Sequence, residues 1–493
     1  MKLRMAKGTQ LAATEPVPLS ALVEAPPAAR NSRPSPAVAR RILLSLMVPS
    51  LLMPLTSSMA RVALPIIRDD FGISADMTAW VATVFSLPFM ILMPVYGRLS
   101  DGVGRRRLLL AGLVIFSVGT LFTILATDLA WIMAGRALQG IGTAGIMPLG
   151  MALISTIFRS QERGKALGTW SSIGPTTAFI GPLVAGFLVV GWGWRAAFAP
   201  PLLAGIAAFI VVAKFIPPGL SNVRLRFLRT FDWTGVLLRA LSSTFLLFYL
   251  ASRPITGVAS LTDWRLLAMT VFFMSAFIWW ERRHRDPFVA LDIFRNSLFT
   301  RASTGASLRM FTMGAGGFLF PLYLVDIHGL NAAYIGLMSM IMPGSMALIV
   351  RFGGQIADRW GSRWPVMAGF AIQIGVMLAF SRQPANASLW SLAIVLFFGG
   401  LGVGLMLAAL HRSAMGDISD EKMGAAAGVY SMIRFAGMVI GTALAGVMLQ
   451  MALDRGLPTI DAYQSVYLAV AGVAFIGLVL AFTLKEPTRS LSE

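Results

Sequence analysis

Long apolar segments separated by short polar loops fill the chain from residue 42 to residue 484. A helix of about 20 apolar residues rises about 30 Å, which is the thickness of the hydrocarbon core of a bilayer. The pattern therefore predicts an all-α polytopic membrane protein with fourteen transmembrane helices. One predicted span, 264–280, is short and runs into the charged segment "WWERRHRD". The predicted spans are 42–66, 77–97, 107–126, 129–152, 164–190, 195–216, 233–252, 264–280, 298–325, 332–354, 364–381, 388–411, 423–452 and 464–484.

The composition agrees with a membrane protein. Of the 493 residues, 56% are hydrophobic and 13% are charged, whereas soluble domains carry about 25% charged residues. The chain has no cysteine, which excludes disulfides, thiolate metal sites and cysteine nucleophiles. Its three histidines (His284, His328 and His411) are far apart and form no ligand cluster. We therefore expect no enzyme activity, no metal and no cofactor.

The net charge of +19 lies mostly in alternate loops. "GRLSDGVGRRR", "RSQERGK" and "NVRLRFLR" fall on one side, and loops such as "IHGLN" on the other. Lys and Arg collect on the cytoplasmic side of membrane proteins. We therefore expect a multi-pass protein of the plasma (cytoplasmic or inner) membrane with both termini in the cytoplasm, in contact with lipid and not with nucleic acid. Residues 1–41, rich in Pro and Ala, and residues 485–493 are predicted to be tails, the first of them disordered.

The chain contains an internal repeat. "GRLSDGVGRRR" and "GQIADRWGSR" are offset by 257 residues, while "GKALG" and "GPLVAG" match "GAAAG" and "GTALAG" at an offset of 260. Two repeated halves of about six helices are typical of alternating-access transporters. We predict an N-terminal bundle at 42–216, a C-terminal bundle at 298–484, and a linker at 217–297 that adds two transmembrane helices. Matched positions in the first pair of segments are Gly97/Gly354, Asp101/Asp358, Gly104/Gly361 and Arg106/Arg363.

These segments resemble motifs of the major facilitator superfamily. "GRLSDGVGRRR" resembles its loop between helices 2 and 3, "RALQGIGTAG" its helix 4 motif, and "GPLVAG" the helix 5 motif of its antiporters. The two extra helices, followed by "DPFVALDIFRNSLF", resemble the fourteen-helix drug–proton antiporter branch. The resemblance implies a transporter of small molecules that exports its substrate, with a proton as a possible coupling ion. Nothing in the sequence identifies a periplasmic adaptor.

Two sets of residues are predicted to serve conformational change. The repeated loop would hold the two bundles together in one conformation, because its glycines allow tight turns and its carboxylates can face a helix N-terminus. Glycine and proline in the helix 5 motif and its repeat would allow close helix contact. The loop residues are Gly97, Asp101, Gly104, Arg105, Arg106, Gly354, Asp358 and Gly361, and the helix-packing residues are Gly181, Pro182 and Gly441.

The first predicted helix departs from the antiporter branch. The branch carries a stretch resembling "LDxTxxNxALP", and this chain reads "LTSSMARVALP", with Thr56 in place of the acidic residue and Arg61 in place of Asn. None of the 22 carboxylates lies deep in a predicted span. Proton antiport of cations generally requires such a carboxylate. The coupling candidates are therefore Arg136 and, near the two mouths, Asp326 and His411.

Arginines are the deep charges of this chain. Arg309 lies roughly 16 Å from the inner end of its span, near the midplane. Arg61 and Arg309 lie on the first helix of each half, which lines the central cavity in this superfamily. We expect these two arginines, with Thr56, to bind a substrate that carries an anionic group. The alternatives are proton-coupled efflux of lipophilic cations, favoured by the apolar segment "RMFTMGAGGFLFPLY", and a non-transporting membrane sensor.

Overall fold

A computed structural model describes residues 35–158, 160–218, 231–284, 289, 291–419 and 423–484, except for the side chains of residues 101, 160 and 161. This part of the chain is helical and contains no strand. Its long helices are α1 (Pro36–Phe71, with a turn at Leu51), α2 (Ala75–Val103), α3 (Arg105–Ile124), α4 (Leu129–Ile157), α5 (Glu162–Trp192), α6 (Trp194–Phe215), α7 (Trp233–Leu250), α8 (Trp264–Arg283), α9 (Ser297–Asp326), α10 (Ala332–Trp360), α11 (Arg363–Phe380), α12 (Leu389–Gly416), α13 (Met423–Asp454) and α14 (Thr459–Phe482).

Thirteen helices of the described residues are long and apolar enough to cross a membrane. The fourteenth predicted span is α8, a helix of 20 residues, which would rise about 30 Å. Its charged residues, among them Arg265, Glu281 and Arg283, lie near its two ends and lower its mean hydropathy. The helix α8 packs along its neighbour α7. The predicted all-α fold is confirmed, and thirteen candidate spans together with α8 are approximately consistent with the predicted count of fourteen.

The first helix begins earlier than the predicted span. It starts at Pro36 and not at residue 42, so it takes in the basic pair Arg40 and Arg41. Proline is well suited to the first helical position, because its missing N–H has no helical partner there. The sequence prediction counted only apolar residues and therefore missed this polar turn. The rest of the predicted N-terminal tail, residues 1–34, and the predicted tail 485–493 lie outside the described residues.

The two halves pack as the repeat predicts. Helices α1–α6 and α9–α14 meet mainly where α2 packs against α13 and α5 against α10, and α1 also contacts α9 and α10. The repeated loops match in conformation, because Gly104 and Gly361 follow α2 and α10 with φ of 96° and 82°. Only glycine adopts such backbone angles without strain. The extra helix α7 lies beside both α2 and α13, and thus covers one of the seams between the bundles.

We call the end of the helices that carries the Lys- and Arg-rich loops the inner end. At the opposite, outer end one buried apolar cluster joins both bundles, with Leu64 and Ile67 of α1 and Leu319 and Leu322 of α9 among its members. Towards the inner end, one cluster lies within the N-terminal bundle around Leu113, Leu153 and Trp170, and another packs Met93 of α2 against the C-terminal bundle. The protein is thus closed between the bundles at its outer end.

Candidate functional site

A small pocket lies between the two bundles. Its volume is about 50 Å³, and its walls come from α1, α2, α4, α9 and α13. Sites for drug-sized ligands measure about 300–1,000 Å³, so a substrate fits only if the bundles move apart. The lining is apolar apart from Ser57, Arg61, Ser86, Arg136 and Thr442, and it contains no carboxylate.

Arg136 of α4 is fixed by neutral partners. It is 2% exposed, its Nη1 donates to Gln139 Oε1 at 2.8 Å, and its Nε donates to the carbonyl oxygen of Val81 at 3.3 Å. The guanidinium also lies 4.6 Å from the centre of the Phe85 ring. Gln139 is held in turn by Thr120 Oγ1 at 3.1 Å. These contacts orient the cation towards the pocket and leave its charge uncompensated.

Arg61 of α1 reaches across to the other bundle. A Cβ atom placed on Gly317 of α9 would lie only 3.2 Å from Arg61 Nη1, so the glycine leaves room for the guanidinium. Among the described residues, no carboxylate forms a salt bridge with either Arg61 or Arg136. A charge at the middle of a membrane is costly, about 2.5–3.5 kcal/mol for arginine on insertion scales. The pocket is therefore a positively charged site with apolar walls.

The structure does not place Arg309 in this pocket with Arg61. Arg309 lies eight residues before Gly317 on α9, about 12 Å nearer the inner end. Its Nη1 donates to Met313 Sδ at 3.3 Å, and Met313 itself lines the pocket. Arg309 is instead within electrostatic range of Arg434 of α13. The sequence could not pair Arg309 with Arg434, because the approach of α9 to α13 is set by tertiary packing.

Thr56 is buried away from the pocket. Its side chain is fully enclosed, and Oγ1 has no hydrogen-bond partner. The next residue, Ser57, lines the pocket instead. A step of one residue turns a helix by about 100°, and the family motif that singled out Thr56 does not specify this rotation.

The two repeated loops lie against their own bundles. Arg105 Nη1 donates to Thr156 Oγ1 at 2.8 Å, and Arg106 Nη2 donates to the carbonyl oxygen of Ala213 at 2.7 Å. In the second loop, Asp358 lies 3.5 Å from Arg412 Nε. The side chain of Asp101 lies outside the described residues.

The loop glycines occupy matching places. A Cβ on Gly97 would be 3.6 Å from Pro148 of α4, and a Cβ on Gly354 would be 3.6 Å from Ala408 of α12. Together with Gly104 and Gly361, they place both loops on equivalent helix faces of their bundles. Each of these loop contacts lies within one bundle.

Asp326 and His411, the two candidates near the mouths, have different surroundings. Both carboxylate oxygens of Asp326 accept hydrogen bonds from Arg68 of α1, and Tyr463 also donates to Oδ2 at 2.6 Å. His411 of α12 is exposed, and its ring centre lies 5.4 Å from that of Tyr430. Asp326 is thus engaged at the outer end, whereas His411 remains accessible.

The helix-packing residues all lie at close contacts. A Cβ on Gly181 would collide with Ser58 Oγ of α1, and one on Gly441 would collide with the carbonyl oxygen of Phe311. The carbonyl oxygen of Pro182 lies against Gly336 of α10, across the second seam between the bundles. Glycine lets helix backbones approach closely in a membrane.

Four residues that shape the site have roles that the sequence does not indicate. They are Ser57, Arg68, Tyr430 and Arg434. Arg434 lies within the predicted span 423–452, but its partners depend on the packing of α9 against α13. Arg68 was visible only as a charge near a helix end. Among the described residues, no group of three His, Asp or Glu side chains could hold a metal ion.

Comparison with known proteins adds the following similarities. A family model described as Major Facilitator Superfamily matches residues 46–298 and 302–493. The riboflavin transporter RibZ of Clostridioides difficile is 27% identical over 89% of this chain and 96% of its own length. The multidrug resistance protein Stp of Mycobacterium tuberculosis is 29% identical over 82% of this chain and 74% of its own length.

A solved structure shares the same architecture. A bacterial homologue of the human lysosomal transporter Spinster, in an inward-facing and occupied conformation, matches with a TM-score of 0.66. The match covers 92% of this chain and 97% of that chain at 15% identity. At this identity the likeness shows the fold alone.

Proposed function

The chain belongs to the Major Facilitator Superfamily, and from this premise we propose that it exports a small amphipathic organic anion by alternating access. The superfamily assignment makes it a membrane transporter. The identity of the substrate, its charge and the direction of transport are the proposed part.

One observation carries the charge of the substrate. Arg61 and Arg136 line a pocket between the bundles whose described walls hold no carboxylate. Uncompensated guanidinium groups in a low-dielectric site attract an anion and can hold a carboxylate or phosphate through paired hydrogen bonds. Arg309, whose guanidinium contacts the pocket residue Met313, is proposed to contact the same substrate as the bundles move apart.

The walls of the pocket suggest the rest of the substrate. Phe85, Phe318, Met313 and Met438 surround the two arginines with aromatic and thioether surface. Ligand sites of this kind combine mostly apolar walls with a few oriented polar groups. A flat, partly aromatic compound with one acidic end fits this arrangement.

Export is proposed because of the relatives. One relative is named as a multidrug resistance protein, which favours export. Another relative is named as a riboflavin transporter, and this name states no direction of transport. We propose that the protein lies in the cytoplasmic membrane with both termini inside, following the Lys and Arg bias of the loops. If transport is coupled to protons, Asp326 and His411 are the titratable groups proposed to carry them, because no described carboxylate lines the pocket.

A second candidate is proton-coupled efflux of lipophilic cations. The methionine- and phenylalanine-rich walls and the multidrug resistance relative favour it. It would leave Arg61 and Arg136 with structural roles only. The unpaired positive charge of the pocket opposes it, because a cation entering there would be repelled.

Transport of two dyes of opposite charge separates the candidates. Purified protein is reconstituted into liposomes. The liposomes are loaded with either fluorescein, which is an anion, or rhodamine 6G, which is a cation with a similar ring system. We expect transport of fluorescein that falls at least about tenfold in Arg61→Gln, the scale of one charge-assisted hydrogen bond. Liposomes without protein and liposomes with Arg239→Gln, an arginine of α7 outside the pocket, are the controls. Transport of rhodamine 6G alone would establish the second candidate.

A further inference from the structure

A second cluster of buried positive charge lies on the inner side of the pocket. It consists of Arg309 of α9 with Arg434 and Tyr430 of α13, and we call it the inner arginine pair. Arg309 is 2% exposed, as is Tyr430. The Nε atoms of both arginines are buried without a hydrogen-bond partner. None of these three side chains lines the pocket, so substrate binding in the pocket does not explain why they are buried there.

The nearest neighbours of the pair are neutral. Arg309 donates to the sulfur atom of Met313, a weak acceptor. The Arg434 guanidinium lies 4.9 Å from the centre of the Phe435 ring and 5.9 Å from that of Tyr430. Among the described residues no carboxylate forms a salt bridge with either arginine. Cation–π contacts offset only part of the cost of burying a guanidinium.

The two arginines also repel each other. They lie within electrostatic range, on two helices that pack closely enough for Gly437 to touch the backbone of Ser307. Arginine stays protonated in proteins, so the pair cannot remove its charge by losing a proton. Two buried like charges are unfavourable by themselves, and an anion placed between the two guanidinium groups would compensate them.

We propose that Arg309, Arg434 and Tyr430 form a binding site for a doubly charged anionic group, such as a phosphate monoester or two adjacent carboxylates. Two fixed positive charges are balanced by two negative charges, and each guanidinium presents a fork of N–H groups to the oxygens. The Tyr430 hydroxyl group can supply a further donor. This inference rests on the proposed function and adds a second binding site for the acidic end of its substrate, on the inner side of the Arg61 pocket.

The position of the site suggests how the substrate lies. Met313 contacts Arg309 and also lines the pocket, so the two sites are adjacent along α9. A substrate whose acidic end binds the inner arginine pair can direct its aromatic body towards Met313 and Phe318. His411, whose ring lies 5.4 Å from that of Tyr430, is exposed, so the site lies next to an accessible residue.

Binding of three small aromatic probes tests the proposal. Phenyl phosphate, benzenesulfonate and benzyl alcohol differ mainly in charge, and a phosphate monoester carries two charges at mildly alkaline pH because its second pKa is about 6. Full-length protein in nanodiscs is titrated with each probe by calorimetry. We expect phenyl phosphate to bind at least about tenfold more tightly than benzenesulfonate, the scale of one additional charge-assisted hydrogen bond. Benzyl alcohol should bind most weakly.

Variants connect the preference to the site. Arg434→Gln should remove the preference for phenyl phosphate, and Arg434→Lys should restore little of it, because a point charge lacks the fork. The matched control is Arg239→Gln, since Arg239 is also an arginine within a helix, where it contacts Met274 and Phe277. Without ligand, Arg434→Gln should melt no lower than the wild type, because it relieves repulsion, whereas a merely structural arginine would lower the melting temperature.

Two results would overturn the inner site. The first is equal affinity of the wild type for phenyl phosphate and benzenesulfonate. The second is an Arg434→Gln variant with an unchanged preference while Arg61→Gln loses it. Both leave the proposed function standing, because anions would still bind at the Arg61 pocket. Binding of no anionic probe, together with transport of rhodamine 6G, would instead contradict the proposed function itself.

Discussion

Arg68 of α1 and Asp326 of α9 join the two bundles at the outer end through a bidentate ion pair. Nη1 and Nη2 of Arg68 donate to the two carboxylate oxygens at 2.8 and 2.6 Å. Each side chain is 16% exposed, and Tyr463 supports the carboxylate with a third hydrogen bond. An opening of the outer end that separates α1 from α9 has to break this pair.

Removing the pair should favour the outward-open state. In Asp326→Asn, the charge and the fork contact are lost, and we expect the equilibrium to shift by about 1–3 kcal/mol, the usual scale of conformational coupling. A single cysteine at Ser57, which lines the pocket, reports the change. Its rate of labelling by an impermeant maleimide added outside should rise in Asp326→Asn and in Arg68→Gln.

The double exchange Arg68→Asp with Asp326→Arg is the control, because it restores an ion pair in the opposite sense. It should return labelling towards the wild-type rate, unless the nearby Asp69, which also contacts Arg68, disturbs the exchanged pair. Asp69→Asn is included for that reason. Equal labelling in all variants would show that the apolar cluster at the outer end keeps it closed without this ion pair.

Much of the fold follows from the sequence, and little of the site does. Helix number, the repeat and the extra pair of helices depend on local hydropathy and on spacing, which a sequence displays directly. The partners of Arg61, Arg309 and Asp326 depend on the rotation and depth of helices that are distant in sequence. Ser57 and Thr56 show the limit, because one residue decides which hydroxyl group faces the pocket, and hydropathy does not distinguish them.

The two repeated loops should differ in their effect on transport. Asp101→Asn is expected to reach the membrane folded and to transport more slowly, because it removes a charge that stabilises one conformation. Asp358→Asn should have a smaller effect, since the Asp358 side chain is 73% exposed and its contact with Arg412 is 3.5 Å long. Exposed ion pairs contribute about 0–1 kcal/mol.

Initial rates of dye transport, normalised to the amount of protein in the liposomes, measure the difference. Arg412→Gln serves as a comparison for Asp358→Asn, as it removes the other partner of the same pair. A normal rate for Asp101→Asn would reduce the first loop to a signal for membrane orientation.

The orientation of the chain can be tested because the wild type lacks cysteine. Thr256, in the loop between α7 and α8, and Arg359, near the inner end of α10, are both exposed. In intact cells a cysteine at Thr256 should react with an impermeant maleimide, and cysteines at Arg359 and Ser221 should react only after the membrane is permeabilised. Ser221 lies outside the described residues, but it directly precedes the segment "NVRLRFLR" of the predicted inner loop. Labelling of the Arg359 cysteine in intact cells would contradict the proposed orientation.

Placing a carboxylate in the pocket should change the preferred charge of the substrate. Ser57 lines the pocket beside Arg61, so the double variant Ser57→Asp with Arg61→Asn replaces a positive charge by a negative one there. We expect it to lose fluorescein transport and to gain transport of rhodamine 6G. Thr56→Asp with Arg61→Asn follows the family motif, but Thr56 is fully enclosed, and a buried unpaired carboxylate costs several kcal/mol. This variant should lower the melting temperature without a comparable gain in cation transport.

The comparison between the two variants decides how the charge acts. Both have the same formal charge and differ only in which side of α1 carries the carboxylate. If the charge of the pocket selects the substrate, Ser57→Asp should alter dye preference and Thr56→Asp should mainly alter stability. If both variants transport rhodamine 6G as the wild type does, Arg61 has a structural role. The proposal that this pocket selects anions is then wrong.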